Sequence, residues 1–154
     1  MLRNLFQEKL KQAMHARDEL TTSTLRLIVA AMKDRDIAAR AKGNWDGITE
    51  DEILSMLQTM IKQRQESIKM YEAGKRIDLA EREAGEIKII ENFLPKQLSE
   101  DEIRTAIDKA ISATSAAGLK DMGKVMAEMK AKYVGQMDFS KASGMVKERL
   151  AGER

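Results

Sequence analysis

Cysteine is absent from this chain, and with it go disulfide cross-links, thiol catalysis and cysteine-based zinc sites. Histidine occurs once, at His15, too few for a metal site built on imidazoles. One proline, one tryptophan, two tyrosines and three phenylalanines in 154 residues suit a β-sandwich or barrel poorly, because strands favour aromatic and β-branched side chains. No apolar run approaches the roughly 20 residues of a membrane-spanning helix, and Met1 to Leu10 reads as amphipathic rather than signal-like. From these two absences a cytoplasmic location is expected, with no membrane partner. Charge of one sign is also missing. The 27 Lys and Arg nearly balance 25 Asp and Glu, and a formal net charge of +2 creates no strong field to draw nucleic acid or an anionic membrane. An enzyme built from this chain alone would have to work with Asp, Glu, Lys, Ser and Thr; no metal and no cofactor is expected.

What is present is helix-forming. Hydrophobic residues at 43% and charged residues at 34% describe a folded protein with a heavily charged exterior, and Ala, Leu, Met, Glu and Lys dominate. An all-α fold follows, with an N-terminal four-helix antiparallel part and a smaller C-terminal three-helix domain. Leu2, Leu5, Phe6, Leu10, Ala13 and Met14 recur at helical intervals and predict a first helix ending near Met14. Asp18 is placed to cap a second, reaching toward Gly43. Its middle, Leu25 to Met32, is apolar almost all round, which places it at the centre of the first bundle. After the turn-rich Gly43-Asn44-Trp45-Asp46-Gly47, Thr49 and Glu52 form a capping box for a third helix. Its face reads Ile53, Met56, Leu57, Met60, Ile61, Ile68 and Tyr71. Asp78 is expected to cap a fourth, with Leu79, Ile87, Ile90, Phe93 and Leu94 inward, and Pro95 stops it. Ser99 and Glu102 form a second capping box, for a fifth helix. Asp121 and Asp138 are expected to cap a sixth and a seventh. The division predicted is 1–95 and 96–154.

Two places interrupt this pattern. Turned at 100° per residue, Arg64 falls on the apolar face of the third helix, and Glu83 and Glu86 fall on that of the fourth. An unpaired buried charge costs roughly 3–5 kcal/mol, so Arg64 is expected to pair with Glu83, Glu86 or both across an antiparallel helix pair. This is a structural ion pair; no residue is assigned a catalytic role. The second place is Gly118-Leu119-Lys120-Asp121-Met122-Gly123-Lys124-Val125, which approximates a phosphate-binding loop. Val125 has no hydroxyl for magnesium, and no buried strand precedes the segment, so it fails as a nucleotide site. A weaker version stands, in which the helix start with Lys120, Gly123 and Lys124 holds an RNA phosphate. In the competing reading Gly123 lets two helices approach closely. Lys132 and Lys141 join the candidate RNA contacts, although the lysines of the sixth helix point in different directions. Trp45 suits either stacking on a base or covering the end of the bundle.

The runs Lys62-Gln63-Arg64-Gln65-Glu66-Ser67-Ile68, Tyr71-Glu72-Ala73-Gly74-Lys75-Arg76-Ile77-Asp78-Leu79 and Phe93-Leu94-Pro95-Lys96-Gln97-Leu98-Ser99 closely resemble the bacterial YqeY family. Asp121-Met122-Gly123-Lys124-Val125-Met126 and Gly135-Gln136-Met137-Asp138 look like the GatB/YqeY tail domain. The resemblance implies an all-α protein whose second part is related to the tail of the tRNA-dependent amidotransferase B subunit, which contacts aminoacyl-tRNA while other parts do the chemistry. It also implies that a carbon–nitrogen ligase label, with glutamine as amide donor, would describe a relative's complex and not this polypeptide. Gln136 and Met137 stand where the family usually has Arg and Ala, which removes one positive charge.

Three functions are open at this level. The first is a non-catalytic, tRNA-associated accessory module. The second is a helical protein–protein adaptor with no RNA role, presenting an apolar groove between its two parts. The third, a stand-alone amidotransferase, lacks the nucleophile and activating base that glutamine hydrolysis needs in contact.

Overall fold

The computed structural model describes residues 1–152, and no strand occurs among them. Seven α-helices run in the order α1 (Leu2–His15), α2 (Glu19–Ala41), α3 (Glu50–Ala73), α4 (Ile77–Glu91), α5 (Glu100–Thr114), α6 (Met122–Lys132) and α7 (Phe139–Gly152), with a 3₁₀ turn, Leu119–Asp121, before α6. The chain divides into two compact units, Met1–Leu94 and the remainder from Pro95.

In the first unit the helix starts are local events. Asp18 accepts a hydrogen bond from the Thr21 N–H, satisfying one of the orphan donors of α2. At α3 the Thr49 hydroxyl accepts from the Glu52 N–H while the Glu52 carboxylate accepts from the Thr49 N–H, a complete capping box. Helix α4 departs from expectation. It begins at Ile77 with Arg76 at the N-cap and no side-chain cap. Asp78 lies inside the first turn and accepts from Arg76 Nε and Nη2 at 3.2 Å each. The preceding reversal is achieved by Lys75 in the left-handed region at φ 61°.

The core of this unit is Phe6 from α1, Leu25 and Ile28 from α2, Ile53, Met56 and Leu57 from α3, and Ile90 from α4. Phe93 closes it with an edge-to-face contact to Phe6, ring centroids 5.0 Å apart. Helix α2 packs against α1, α3 and α4, yet it is not enclosed: Leu27 is 48% and Ile37 59% exposed. Four helices leave any one of them an open edge. Met14, expected inward on α1, is likewise exposed. Leu20 of α2 packs onto Gly85 of α4, where an added Cβ would sit 2.8 Å from Leu20 Cδ2.

The second unit packs Ile103, Ala106, Ile107 and Ala110 of α5 against Val125 and Met129 of α6 and Ala142, Val146 and Leu150 of α7. Ser99 and Glu102 form its capping box, and Asp138 accepts from the Ser140 N–H at the start of α7. Asp121 differs from expectation: it ends the 3₁₀ turn and makes no side-chain cap to α6. Its carboxylate turns back to accept from the Ala117 N–H at 2.9 Å. The loop before α7 is also structural. Leu98 N–H donates to Gln136 O at 2.9 Å and Gln97 Nε2 donates to Gly135 O at 2.6 Å. Met137 is buried in the core, so its side chain serves packing.

Candidate functional site

Arg64, Glu83 and Glu86 come together. Arg64 Nε donates to Glu86 Oε2 at 2.9 Å and lies 3.8 Å from Glu83 Oε2, with Arg82 Nε 3.7 Å from Glu86 Oε1 on the outer side. Arg64 Nη1 also donates to the Met60 carbonyl of its own helix at 3.1 Å, which fixes the guanidinium against α3. Glu86 is buried in the sense that only 8% of it is exposed. Burial, and then the neighbouring Glu86 carboxylate, push Glu83 above the usual carboxylate range, with Arg64 and Arg82 opposing. The cluster joins α3 to α4, and its two carboxylates are engaged by Arg64 and Arg82.

A second polar knot was not foreseen. Arg3 of α1 grips Asp36 of α2 bidentately, Nη1 to Oδ2 at 2.8 Å and Nη2 to Oδ1 at 2.7 Å, and Nη2 reaches the Ile48 carbonyl at 3.0 Å. Asp36 Oδ1 also accepts from the Ile48 N–H at 2.9 Å. The Arg3 hydrogen bonds, aided by the Ile48 N–H, hold the Asp36 carboxyl down at about 2 against the desolvation that would raise it. Gly47 at φ 90° lies directly over the pair, and a Cβ there would come within 2.6 Å of Arg3 Nη2. The sequence signal was slight: two glycines bracketing a short loop.

That knot holds the α2–α3 loop, whose tip is Trp45. The indole is 75% exposed and does not cover the bundle. Its partner is the Arg40 guanidinium, 5.6 Å from the ring centroid.

The candidate phosphate contacts lie in the second unit and are dispersed. Lys120 and Lys124 are exposed at the junction of the 3₁₀ turn and α6, with Asp121 between them and its Oδ1 3.9 Å from Lys124 Nζ. Lys132 ends α6, about 12 Å along the axis from Lys124 at 1.5 Å per residue, and pairs with Glu128 at 2.8 Å. Lys141 is exposed on the first turn of α7. Two features bear on a phosphate site at this helix start. The Met122 N–H is already bonded to Leu119 O, so the helix start offers fewer open donors than a bare N-terminus. Gly123 is not a packing glycine, since a Cβ on it would meet nothing within 4 Å.

Elsewhere, a cleft of about 470 Å³ opens among α1, α2 and α4, floored by Leu5, Leu25 and Phe93. The polar groups at its rim include Asp18 and Thr21, already engaged in capping α2. Among the described residues no group of three or more His, Asp or Glu is placed to hold a metal ion, and no helix is long and apolar enough to cross a membrane.

Comparison with known proteins gives the chain a family. It is 36% identical over 86 residues to altered inheritance of mitochondria protein 41, mitochondrial, of Kluyveromyces lactis, covering 56% of this chain and 44% of that protein. The protein of the same name in Saccharomyces cerevisiae is 34% identical over 91 residues, 59% of this chain and 47% of its own length. The Lachancea thermotolerans protein is 36% identical over 85 residues, 55% and 43% respectively. The chain thus spans less than half the length of these relatives. They are mitochondrial proteins by name, which overturns the expectation of a cytoplasmic location. That expectation rested on lacking a membrane span and a signal-like start, and neither absence distinguishes one aqueous compartment from another. A family model described as Yqey-like protein matches residues 3–150, and the chain belongs to the YqeY family.

Proposed function

We propose that this chain is a non-catalytic accessory module that contacts transfer RNA, with any amide chemistry supplied by other polypeptides. In this reading 1–95 is a helical N-terminal domain, and 96–154 is a three-helix domain resembling the amidotransferase tail. The observation that carries it is the surface at the start of α6. Gly123 opens onto free space between exposed Lys120 and Lys124, so packing does not explain the glycine, and a phosphate can approach the backbone there without meeting a side chain. Lys132 and Lys141 extend the contact along the unit. Asp121 limits its strength by placing one carboxylate among the lysines.

Retention of unfractionated tRNA by the purified protein, measured across a salt series, tests this reading. Binding should appear at low ionic strength and weaken steeply with salt. Lys120→Ala and Lys124→Ala should each reduce the log–log salt slope by about 1 while preserving the fold. No retention at the lowest salt, or slopes unchanged in both variants, would remove the reading.

A protein-adaptor function has its own observation: Met70 and Ile77 are 75% and 53% exposed on either side of the α3–α4 turn. It predicts that Met70→Glu abolishes capture of a specific partner while leaving the RNA salt slope unchanged.

A further inference from the structure

Trp45 is the sole tryptophan of the chain, and the loop that carries it is held in one shape. The Asn44 N–H donates to Ala39 O at 2.9 Å, Asn44 Nδ2 donates to Gly47 O at 3.1 Å, and the Asp46 N–H donates to Asn44 Oδ1 at 3.0 Å. Gly43 and Gly47 take φ 89° and 90°, and the Arg3–Asp36 pair fastens Ile48 at the far end. A rigid loop thus displays a large aromatic ring to solvent in a fixed orientation, which pre-organises it for contact with a partner. One face of the ring carries the Arg40 guanidinium. With three quarters of the residue exposed, the opposite face is open.

We propose that this open face is a stacking platform for one unpaired base of a nucleic-acid single strand, with Arg40 and Lys42 beside its flanking phosphates. The charge balance fits an anionic aromatic ligand. Asp36, the carboxylate nearest along α2, is paired bidentately with Arg3, which offsets its pull on Arg40, and Lys42 is exposed beside them. Asp46 sets one negative charge against them, which makes the site modest and salt-sensitive. The surroundings also discriminate between partners. A protein hot spot sits at the centre of a patch of neighbouring contacts that keep water from it, but the loop neighbours of Trp45 are Lys42, Gly43, Asn44 and Asp46. An isolated flat face among polar groups can bury one ring and little more, which is what base stacking requires. The site deepens the RNA reading proposed above, but it uses different residues.

Because no other tryptophan contributes, the emission of the intact protein reports this loop alone. A short oligoadenylate single strand at low ionic strength should quench Trp45. Heparin, a polyanion without bases, should not, and duplex RNA or free adenosine monophosphate at equal nucleotide concentration should act far more weakly. Arg40→Ala should weaken the quenching. In a binding assay with a labelled oligonucleotide, Trp45→Ala should lower affinity about tenfold or more, the expectation for losing one stacked base. Unchanged emission with the oligonucleotide, equal quenching by heparin or duplex, or full quenching by the free mononucleotide would each overturn the proposal. A response to poly-glutamate in place of oligoadenylate would overturn it in favour of an acidic protein partner. Retention of tRNA that depends on Lys120 and Lys124 but ignores Trp45→Ala would refute the stacking site and leave the accessory-module reading standing. Quenching of Trp45 together with tRNA retention that ignores both Lys120→Ala and Lys124→Ala would do the opposite.

Discussion

At Gly47 a single backbone angle determines which residue can stand there. The position combines φ 90° with a Cβ vector aimed at Arg3 Nη2 and Asp36 Oδ1, so an alanine is strained by its own backbone and also displaces the ion pair. Gly47→Ala should cost about 1–3 kcal/mol, read as a lower urea midpoint with an unchanged m-value. A midpoint equal to wild type would mean that the loop relaxes without cost. The same knot makes a pH prediction. Asp36 titrates at about 2 in the folded chain and near 3.9 when unfolded. A carboxylate held down on folding contributes stability that is complete above the unfolded value and disappears as pH falls from roughly 4 toward 2. Asp36→Asn should therefore lower stability at neutral pH by about 1–2 kcal/mol, and its stability should fall less steeply than wild type over that acid window. Parallel acid titrations of the two proteins would refute the assignment.

At the scale of elements, α3 and α4 are joined by a charge cluster inside an apolar contact, and its energy is asymmetric. Arg64→Met leaves Glu86 buried beside Glu83 with only the exposed Arg82 guanidinium near it, which should cost about 1–3 kcal/mol. Adding Glu86→Leu and Glu83→Gln should recover most of that loss, because shape-matched apolar groups replace a buried ion pair at little cost. Denaturant midpoints of the single and triple variants test this; a single variant as stable as wild type would show that solvent already screens the pair. These elements differ in how far they could be read in advance. Asp18, Thr49 and Ser99 were legible because a cap is decided by residues three positions apart. Asp78 and Asp121 have the same local form but are diverted, one by the adjacent Arg76 and one by the 3₁₀ turn that precedes α6. The Arg64 pairing was legible because a charge on an apolar stripe demands a partner. The Arg3–Asp36 knot was not, since its members are 33 residues apart and each resembles ordinary surface charge. Of the two readings of Gly123, packing against another helix does not hold there, and a helix side chain meets Gly85 instead, because only tertiary packing shows which glycine another helix meets.

For the molecule as a whole, the buried core and the capping box each occur twice. Each unit has its own buried cluster and its own capping box, at Thr49 in one and Ser99 in the other. The second, beginning at Pro95, has about sixty residues, and a domain of that size buries only about 60% of its unfolded surface and is marginal in stability. It should therefore fail first and alone. Val146, fully buried on α7, is the point at which to strike, because Val146→Asp places an unpaired carboxylate among Ala142, Val125 and Met129 at a cost of several kcal/mol, comparable with the whole stability of so small a core. Hydrogen exchange should then show peptides of α5, α6 and α7 losing protection while those of α1 to α4 exchange as in wild type. Simultaneous loss in both sets would mean one cooperative core and would refute the division. The functional consequences separate along the same line: Val146→Asp should abolish the lysine-dependent retention of tRNA, while quenching of Trp45 by a single-stranded oligonucleotide, a property of the α2–α3 loop, should persist.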